Sequence, residues 1–129
     1  MNPIYFKTCF RIKEREVVFP DEFVIITAYP TTDEKWKDSR VLNMTQRLEK
    51  ELKSRNKWMV GIEGYDPETG HAEAGWGTIM TLDEACDTGL RYLQDAIYHV
   101  KKDQISVTYC DQRRKLVNFG SFKKKILNS

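Results

Sequence analysis

Polar residues around the end of an apolar stretch form the first candidate site in this sequence. Residues 23–29 (FVIITAY) are apolar and β-branched, which indicates a buried strand, and Thr27 and Tyr29 are polar side chains at its end. Asn43 and Arg47 lie four residues apart in the helical pattern that follows, so their side chains would share one helical face. An arginine, an amide and a hydroxyl at one rim could bind a carboxylate or a phosphate. The sequence therefore predicts a binding site where this strand end and the first helical turns share a concavity.

Two residues in this region admit other interpretations. Arg47 is also four residues from Glu51, so the two could form a surface ion pair while Asn43 is solvated or fixes the loop. Trp36 lies in the polar segment TTDEKWKDS, where an exposed indole could contact a partner or cover a pocket. Packing of Trp36 onto the adjacent helix is the alternative.

A histidine and a carboxylate form the second candidate site. His71 and Glu73 are two residues apart in a predicted strand, so their side chains point to the same face. Such a pair can perform general acid–base catalysis, as in a small hydrolase or transferase, but it also occurs on exposed strands without a function. A metal site would need a third ligand such as His99, and nothing in the spacing demands that it converge with the pair. We predict no metal and no other cofactor.

The composition limits the class of protein. The chain has 129 residues, of which 40% are hydrophobic and 31% charged, so we expect residues 1–129 to form a single globular domain. No apolar run approaches the roughly 20 residues of a membrane helix, and the first residues lack a secretory signal pattern. The cysteines Cys9, Cys86 and Cys110 lack the spacing of a zinc or redox motif. They indicate reduced thiols in a cytosolic protein.

Positive charge is concentrated near the C-terminus, although the net charge is only +2. The basic residues of this region are Arg113, Arg114, Lys115, Lys123, Lys124 and Lys125. They predict a basic flexible tail over residues 120–129. They also leave nucleic-acid binding as a further alternative, although the aromatic residues among them are only Phe119 and Phe122.

The distribution of helical and strand patterns predicts an α+β fold. Strand patterns occupy residues 4–12, 23–29, 58–64, 71–80, 96–100, 105–110 and 115–119. A helix is predicted from Asp38 or Ser39 to Ser54, and a second begins at the capping box TLDE, residues 81–84. So few helices among so many strands predict a mainly antiparallel sheet of five to seven strands with two helices packed on one face. A ferredoxin-like or split β-α-β arrangement would fit.

Four short segments carry a resemblance to a known family. They are IITAYP at 25–30, Asn43 with Arg47, EAGW at 73–76 and LQDAIY at 93–98. Together they resemble the family of small bacterial proteins, also expected in phage, called the domain of unknown function thirty-two ninety-three. The match covers about residues 20–100 and departs from the family pattern where Pro30 follows Tyr29 directly, without an Asn between them. The resemblance implies a fold but no activity, because the family is uncharacterised.

These observations favour a non-catalytic binding module over an enzyme without excluding the enzyme. The predicted module binds a small anionic ligand or a protein partner, and no membrane, through Thr27, Tyr29, Asn43, Arg47 and Trp36. A hydrolase or transferase that uses His71 and Glu73 is the alternative. No phosphate-binding loop, nucleophile elbow or zinc-protease motif is present in the sequence to decide between them.

Overall fold

The computed structural model describes residues 1–14, 16–29 and 37–127. Its strands are β1 (Cys9–Ile12), β2 (Glu22–Thr27), β3 (Met59–Tyr65), β4 (Ala72–Thr78), β5 (Ala96–Lys101), β6 (Gln104–Tyr109) and β7 (Val117–Ser121). Its helices are α1 (Ile4–Lys7), α2 (Asp38–Ser54), α3 (Leu82–Arg91) and α4 (Phe122–Lys125). None of these helices is long and apolar enough to cross a lipid bilayer.

The strands form one curled antiparallel sheet in the order β1-β3-β4-β2-β5-β6-β7. α2 connects β2 to β3, and β4 lies between those two strands. α3 connects β4 to β5, and β2 lies between them. The four central strands therefore contain two split β-α-β units. The predicted α+β class and its mainly antiparallel sheet are confirmed.

Alternation along β2 assigns its side chains to two separate core clusters. Val24, Ile26 and Ala28 belong to the helix cluster, which consists of the buried residues Val24, Ile26, Ala28, Leu48, Leu52, Trp76, Ala85, Cys86, Tyr92, Ile97 and Cys110. Phe23 and Ile25 belong to the aromatic cluster, which consists of Phe10, Phe23, Ile25, Val60, Ile62, Val100, Ile105 and Phe122. Because successive strand residues point to opposite faces, Thr27 continues the row of Phe23 and Ile25.

The C-terminal end of the described chain returns to the first strand. Ile126 forms a parallel bridge with Phe10, and the Leu127 amide donates to the Phe10 carbonyl at 2.8 Å. Phe122 is only 3% exposed, and its ring centroid lies 5.3 Å from that of Phe23. Residues 120–127 are therefore built into the fold, which differs from the flexible tail predicted from their charge. One buried aromatic ring among the lysines is the physical reason.

The first predicted strand, residues 4–12, divides into α1 and β1. The Asn2 side-chain oxygen accepts a hydrogen bond from the Ile4 amide at 3.1 Å, and Pro3 precedes the helix, a sequence that suits a helical first turn. α1 is held against the sheet by the Tyr98 hydroxyl, 3.5 Å from the Tyr5 carbonyl. The sequence predicted a strand here and not a helical turn. The turn forms part of the wall of a cavity at the end of β2.

Candidate functional site

The cavity at the end of β2 has a volume of about 320 Å³. It is bounded by α1, by the turn after β3 and by residues at the ends of β2, β4 and β5. Its wall combines aromatic rings with polar side chains. Residues of this wall include Tyr5, Thr8, Phe10, Thr27, Tyr29, Asp66, Thr69, His71, Glu73, Gln94, Asp95, Ala96 and Tyr98.

The cavity unites residues that the sequence assigned to two separate candidate sites. Thr27 and Tyr29 line it from β2 and the residues just beyond, while His71 and Glu73 line it from β4 and the turn before it. The rings of Tyr29 and His71 meet edge to face, with their centroids 5.1 Å apart. Antiparallel pairing of β2 with β4 brings the two groups together. The residues of the two predicted sites therefore lie in one cavity, although they are far apart in the sequence.

Asn43 and Arg47 do not line this cavity. Both are exposed on α2, whose buried residues Leu48 and Leu52 lie in the helix cluster. α2 does pass close to the end of β2, since the Thr45 hydroxyl donates to the Ala28 carbonyl at 3.5 Å. It passes on the side of Val24, Ile26 and Ala28, whereas Thr27 and Tyr29 face the cavity on the other side. Within the described residues, Asn43 and Arg47 therefore lie apart from the concavity that Thr27 and Tyr29 line.

The remaining contacts around Arg47 also differ from those expected. Glu51 accepts hydrogen bonds from Arg91 at 2.6 Å and from the Tyr92 hydroxyl at 3.2 Å. The positive charge of Arg47 acts on the same tyrosine and opposes the rise of its pKa, which burial causes. Glu51 thus connects α2 to the end of α3.

Trp36, also proposed for this site, lies outside the described residues.

Gln94 is a cavity residue that the sequence analysis did not select. Its side-chain amide donates to the carbonyl oxygens of Tyr29 at 2.7 Å and Tyr92 at 2.8 Å, and its own oxygen accepts from the Thr27 hydroxyl at 2.8 Å. The buried glutamine therefore fixes the end of β2 against the segment that leads into β5. Its place in the LQDAIY segment was the signal that could have identified it.

Asp66 organises the turn that carries His71. Its carboxylate accepts from the Glu68 amide at 2.9 Å and from the Thr69 hydroxyl at 3.0 Å, and these bonds hold its pKa below the ordinary value. The Asp66 amide donates to the His71 carbonyl at 2.9 Å. The turn is thereby closed, and the imidazole is held beside the strand that carries Glu73.

His71 and Glu73 form a hydrogen-bonded pair in the cavity wall, with Nε2 and Oε1 3.2 Å apart. Burial raises the pKa of the Glu73 carboxyl, and the hydrogen bond with His71 opposes that rise. Burial also raises the pKa of Tyr98, and it raises that of Tyr5 to about 12. A carboxyl group with a raised pKa beside an imidazole can bind a polar ligand or exchange a proton with it.

Comparisons with protein-family models, curated proteins and solved structures found no match for this chain. The family resemblance therefore stays a prediction. Three of the four segments that carry it contribute to the cavity: 25–30 through Thr27 and Tyr29, 73–76 through Glu73, and 93–98 through Gln94 and neighbouring residues. The fourth, on α2, does not.

The Glu73→Gln substitution should change how stability depends on pH. The folded pKa of Glu73 is raised, so the folded state binds more protons than the unfolded chain at pH values between the two pKa values. Its contribution to stability is thus present below the unfolded pKa and is lost as pH rises through the folded pKa. Glutamine cannot ionise, so the variant should lack this loss. Urea denaturation between about pH 4 and 8 measures it.

Glu63→Gln is the matched control for this experiment, because Glu63 lies on the neighbouring strand and does not line the cavity. It removes one carboxylate from the same sheet without touching the His71–Glu73 pair. Identical pH profiles of stability for the wild type and Glu73→Gln would contradict the raised pKa.

His99 is separate from the His71–Glu73 pair. It is buried on β5 beside Val24 of the helix cluster, and its Nε2 lies 2.7 Å from a carboxylate oxygen of Glu22. The three-ligand arrangement of His71, Glu73 and His99 is therefore not formed. Within residues 1–14, 16–29 and 37–127, no group of three or more histidine, cysteine or acidic side chains could hold a metal ion.

Several basic residues near the C-terminus are engaged within the molecule. The Arg114 guanidinium donates to Asp83 at 3.0 Å and to Asp87 at 2.7 Å. Arg113 binds the Asp111 carboxylate, with a closest contact of 2.6 Å. The Lys125 ammonium donates to a backbone carbonyl of α1 at 3.0 Å. These contacts reduce the positive charge available to a nucleic acid.

Proposed function

We propose that this protein is a binding module for a small organic ligand held in the cavity at the end of β2. The observation that carries the proposal is the convergence of Thr27, Tyr29, His71 and Glu73 on one cavity of about 320 Å³. That volume is at the small end of the roughly 300–1,000 Å³ of typical ligand pockets. Aromatic walls with a few converging polar groups are also typical of such pockets.

The anchoring of the cavity wall supports binding by a preformed site. Gln94 makes three hydrogen bonds that fix the end of β2. The Tyr98 hydroxyl donates to the Thr8 hydroxyl at 3.0 Å, which ties β5 to the segment between α1 and β1. A wall that is already ordered loses little conformational entropy when a ligand enters.

The charge of the wall favours a ligand other than the anion predicted from Arg47. Glu73, Asp66 and Asp95 contribute carboxyl groups, and the described residues that line the cavity include no lysine or arginine. An anion would meet repulsion from these carboxyl groups, and among the described lining residues His71 is the one basic side chain. We therefore propose an uncharged or cationic ligand, and the cavity is too small for more of a protein partner than one side chain.

Filling the cavity should weaken ligand binding. In the Ala96→Leu variant the larger side chain would occupy the space beside Tyr98, so fragments found by NMR screening of the wild type should bind at least about tenfold more weakly. Chemical-shift titration measures the dissociation constants. The shifted resonances should belong to residues of the cavity wall.

Two variants serve as controls. Ala74→Leu makes the same substitution in the sheet at a residue that does not line the cavity, and Arg47→Ala removes the residue first favoured from the sequence. Both should retain binding. A screen without any binding fragment would refute the proposal, and so would fragments that bind Ala96→Leu as well as the wild type. Loss of binding in Arg47→Ala alone would place the site on α2.

An acid–base enzyme is the second candidate function, favoured by the 3.2 Å contact between His71 and Glu73. The threonine hydroxyls of the wall are already engaged, since Thr8 donates to the Ile4 carbonyl, Thr27 to Gln94 and Thr69 to Asp66. This engagement favours binding over covalent catalysis. Turnover that is lost in Glu73→Gln while fragment binding persists would support the enzyme.

The proposal extends to architecture, family and location. Leu48 of α2 and Ala85 of α3 lie in the same cluster, which supports packing of both helices on one face and leaves the opposite face for the cavity. Membership of the resembled family is supported by the three segments that meet at the cavity.

The free thiols of Cys9, Cys86 and Cys110 support a cytosolic location.

A further inference from the structure

We propose that the cavity recognises an organic ammonium group, with Glu73 and Asp95 supplying the opposite charge and tyrosine rings supplying the walls. This inference rests on the function proposed above and specifies the class of ligand. It is drawn from the distribution of charge and of aromatic rings around the cavity.

The carboxylates of the wall differ in the number of hydrogen bonds that they already make within the protein. Asp66 is occupied by the turn, where it accepts from the Glu68 amide and the Thr69 hydroxyl. Among the described residues, the one hydrogen-bond partner of the Glu73 side chain is His71, at 3.2 Å. Asp95 is exposed at the cavity, and within the described part of the chain its side chain has no hydrogen bond. Glu73 and Asp95 therefore have capacity for a ligand.

The negative potential of both carboxylates reaches the same part of the wall. Asp95 and Glu73 each add to the rise in the pKa of Tyr5, of which burial is the largest cause. An anion beside this ring is thus disfavoured by two groups, Glu73 on β4 and Asp95 just before β5. A cation at the same place is favoured by both, and no lysine or arginine of the described wall competes for them.

The aromatic residues of the wall suit the same ligand. Tyr5, Tyr29, Tyr98 and Phe10 line the cavity, and Tyr98 meets Phe10 edge to face with 5.3 Å between the ring centroids. Aromatic faces attract ammonium groups, and the attraction increases when the cation is removed from water. Rings combined with carboxylates therefore provide both shape and charge for an alkylammonium or arylalkylammonium ion.

The Glu73 carboxyl gives the site a dependence on pH. The groups that face the Glu73 carboxyl are His71, Tyr5 and Tyr98, with Asp66 and Asp95 also in the wall. Protonation of Glu73 removes the charge that attracts the ligand. Affinity for an ammonium ion should therefore rise as pH rises from about 5 to 8.

The test compares ligands that have similar shapes and different charges, in two series. Benzylamine, benzyl alcohol and benzoate are titrated into the wild type at about pH 8 by NMR, and choline is compared with 3,3-dimethylbutan-1-ol. We expect each ammonium ion to bind at least about tenfold more tightly than its uncharged analogue, and benzoate to bind more weakly than both. Glu73→Gln and Asp95→Asn should each reduce this preference, because each removes one of the two carboxylates that attract the cation.

Glu68→Gln is the matched control, because Glu68 is an exposed carboxylate of the nearby turn that does not line the cavity. It should retain the full preference for ammonium ions. Uncharged analogues that bind as tightly as the amines would overturn this inference and leave the binding module intact. No binding by any of the five compounds would overturn the inference but not the binding module, which the fragment screen and the Ala96→Leu variant test separately.

Discussion

The Phe122→Ala variant should have a free energy of unfolding about 3–5 kcal/mol below that of the wild type, the usual cost of removing a buried phenylalanine ring. Phe122 follows β7 and is only 3% exposed. Its ring centroid lies 5.3 Å from those of Phe19 and Phe23 and 5.8 Å from that of Phe10. Alanine would leave a void between the first strand, the central strand and the chain end.

Equilibrium denaturation in urea, followed by tryptophan fluorescence, measures this loss. Phe122→Leu should cost less than Phe122→Ala, since leucine fills part of the space. Lys123→Ala, at the adjacent exposed residue, should stay within about 0.5 kcal/mol of the wild type. A loss below about 1 kcal/mol in Phe122→Ala would mean that residues 120–127 behave as a tail after all.

Gly75→Ala should also destabilise the protein strongly, because the centre of the sheet has no room for a methyl group at this residue. A Cβ atom at residue 75 would lie 2.7 Å from the backbone oxygen of Ile26 and 2.7 Å from the Thr27 Cγ2 atom. Since backbone atoms in the centre of a sheet cannot move independently, we expect a cost of about 3 kcal/mol in the free energy of unfolding, measured by denaturation in urea. The same displacement would shift Thr27, so fragment binding to the cavity should weaken as well.

Two other glycines of the sheet provide graded controls for Gly75. At Gly64 the nearest atom to an added Cβ is a methyl carbon of Thr8 at 3.6 Å, so Gly64→Ala should be close to neutral. At Gly77 the close atom is the Ile62 Cδ1 at 2.8 Å, the flexible end of a side chain, so the cost should be intermediate. Equal stabilities of Gly75→Ala and Gly64→Ala would show that β2 and β4 separate without strain.

Local sequence signals were sufficient for most of the secondary structure. The capping box is present as predicted, with the Glu84 amide donating to the Thr81 hydroxyl and the Thr81 amide donating to the Glu84 carboxylate. The apolar run 23–29 contains most of β2, and the helical spacing predicted α2 within one residue at its start. These features depend on contacts between residues close in sequence, so the sequence alone determines them.

Contacts between residues that are distant in the sequence determine the burial of Phe122 near the chain end and the hydrogen bonds of Gln94. The sequence showed the lysines around residue 122 but could not show that one ring enters the core, because its neighbours Phe10, Phe19 and Phe23 come from the other end of the chain. Likewise, the partners of Gln94 include Thr27 and Tyr29, which become neighbours only when β5 pairs with β2.

The candidate site shows most clearly what only the tertiary structure decided. The structure ends β2 at Thr27, two residues before Tyr29, and begins β4 at Ala72, one residue after His71. The sequence predicted these two strands over residues 23–29 and 71–80. It did not determine which face of β2 α2 would cover, because both rows of its side chains are apolar, with Phe23 and Ile25 on one side and Val24 and Ile26 on the other. Periodicity fixes the alternation of side chains along a strand, but not the partner that each face receives. Packing placed α2 on the even-numbered row, which separated Arg47 from the cavity, and the pairing of β2 with β4 brought His71 and Glu73 to it instead.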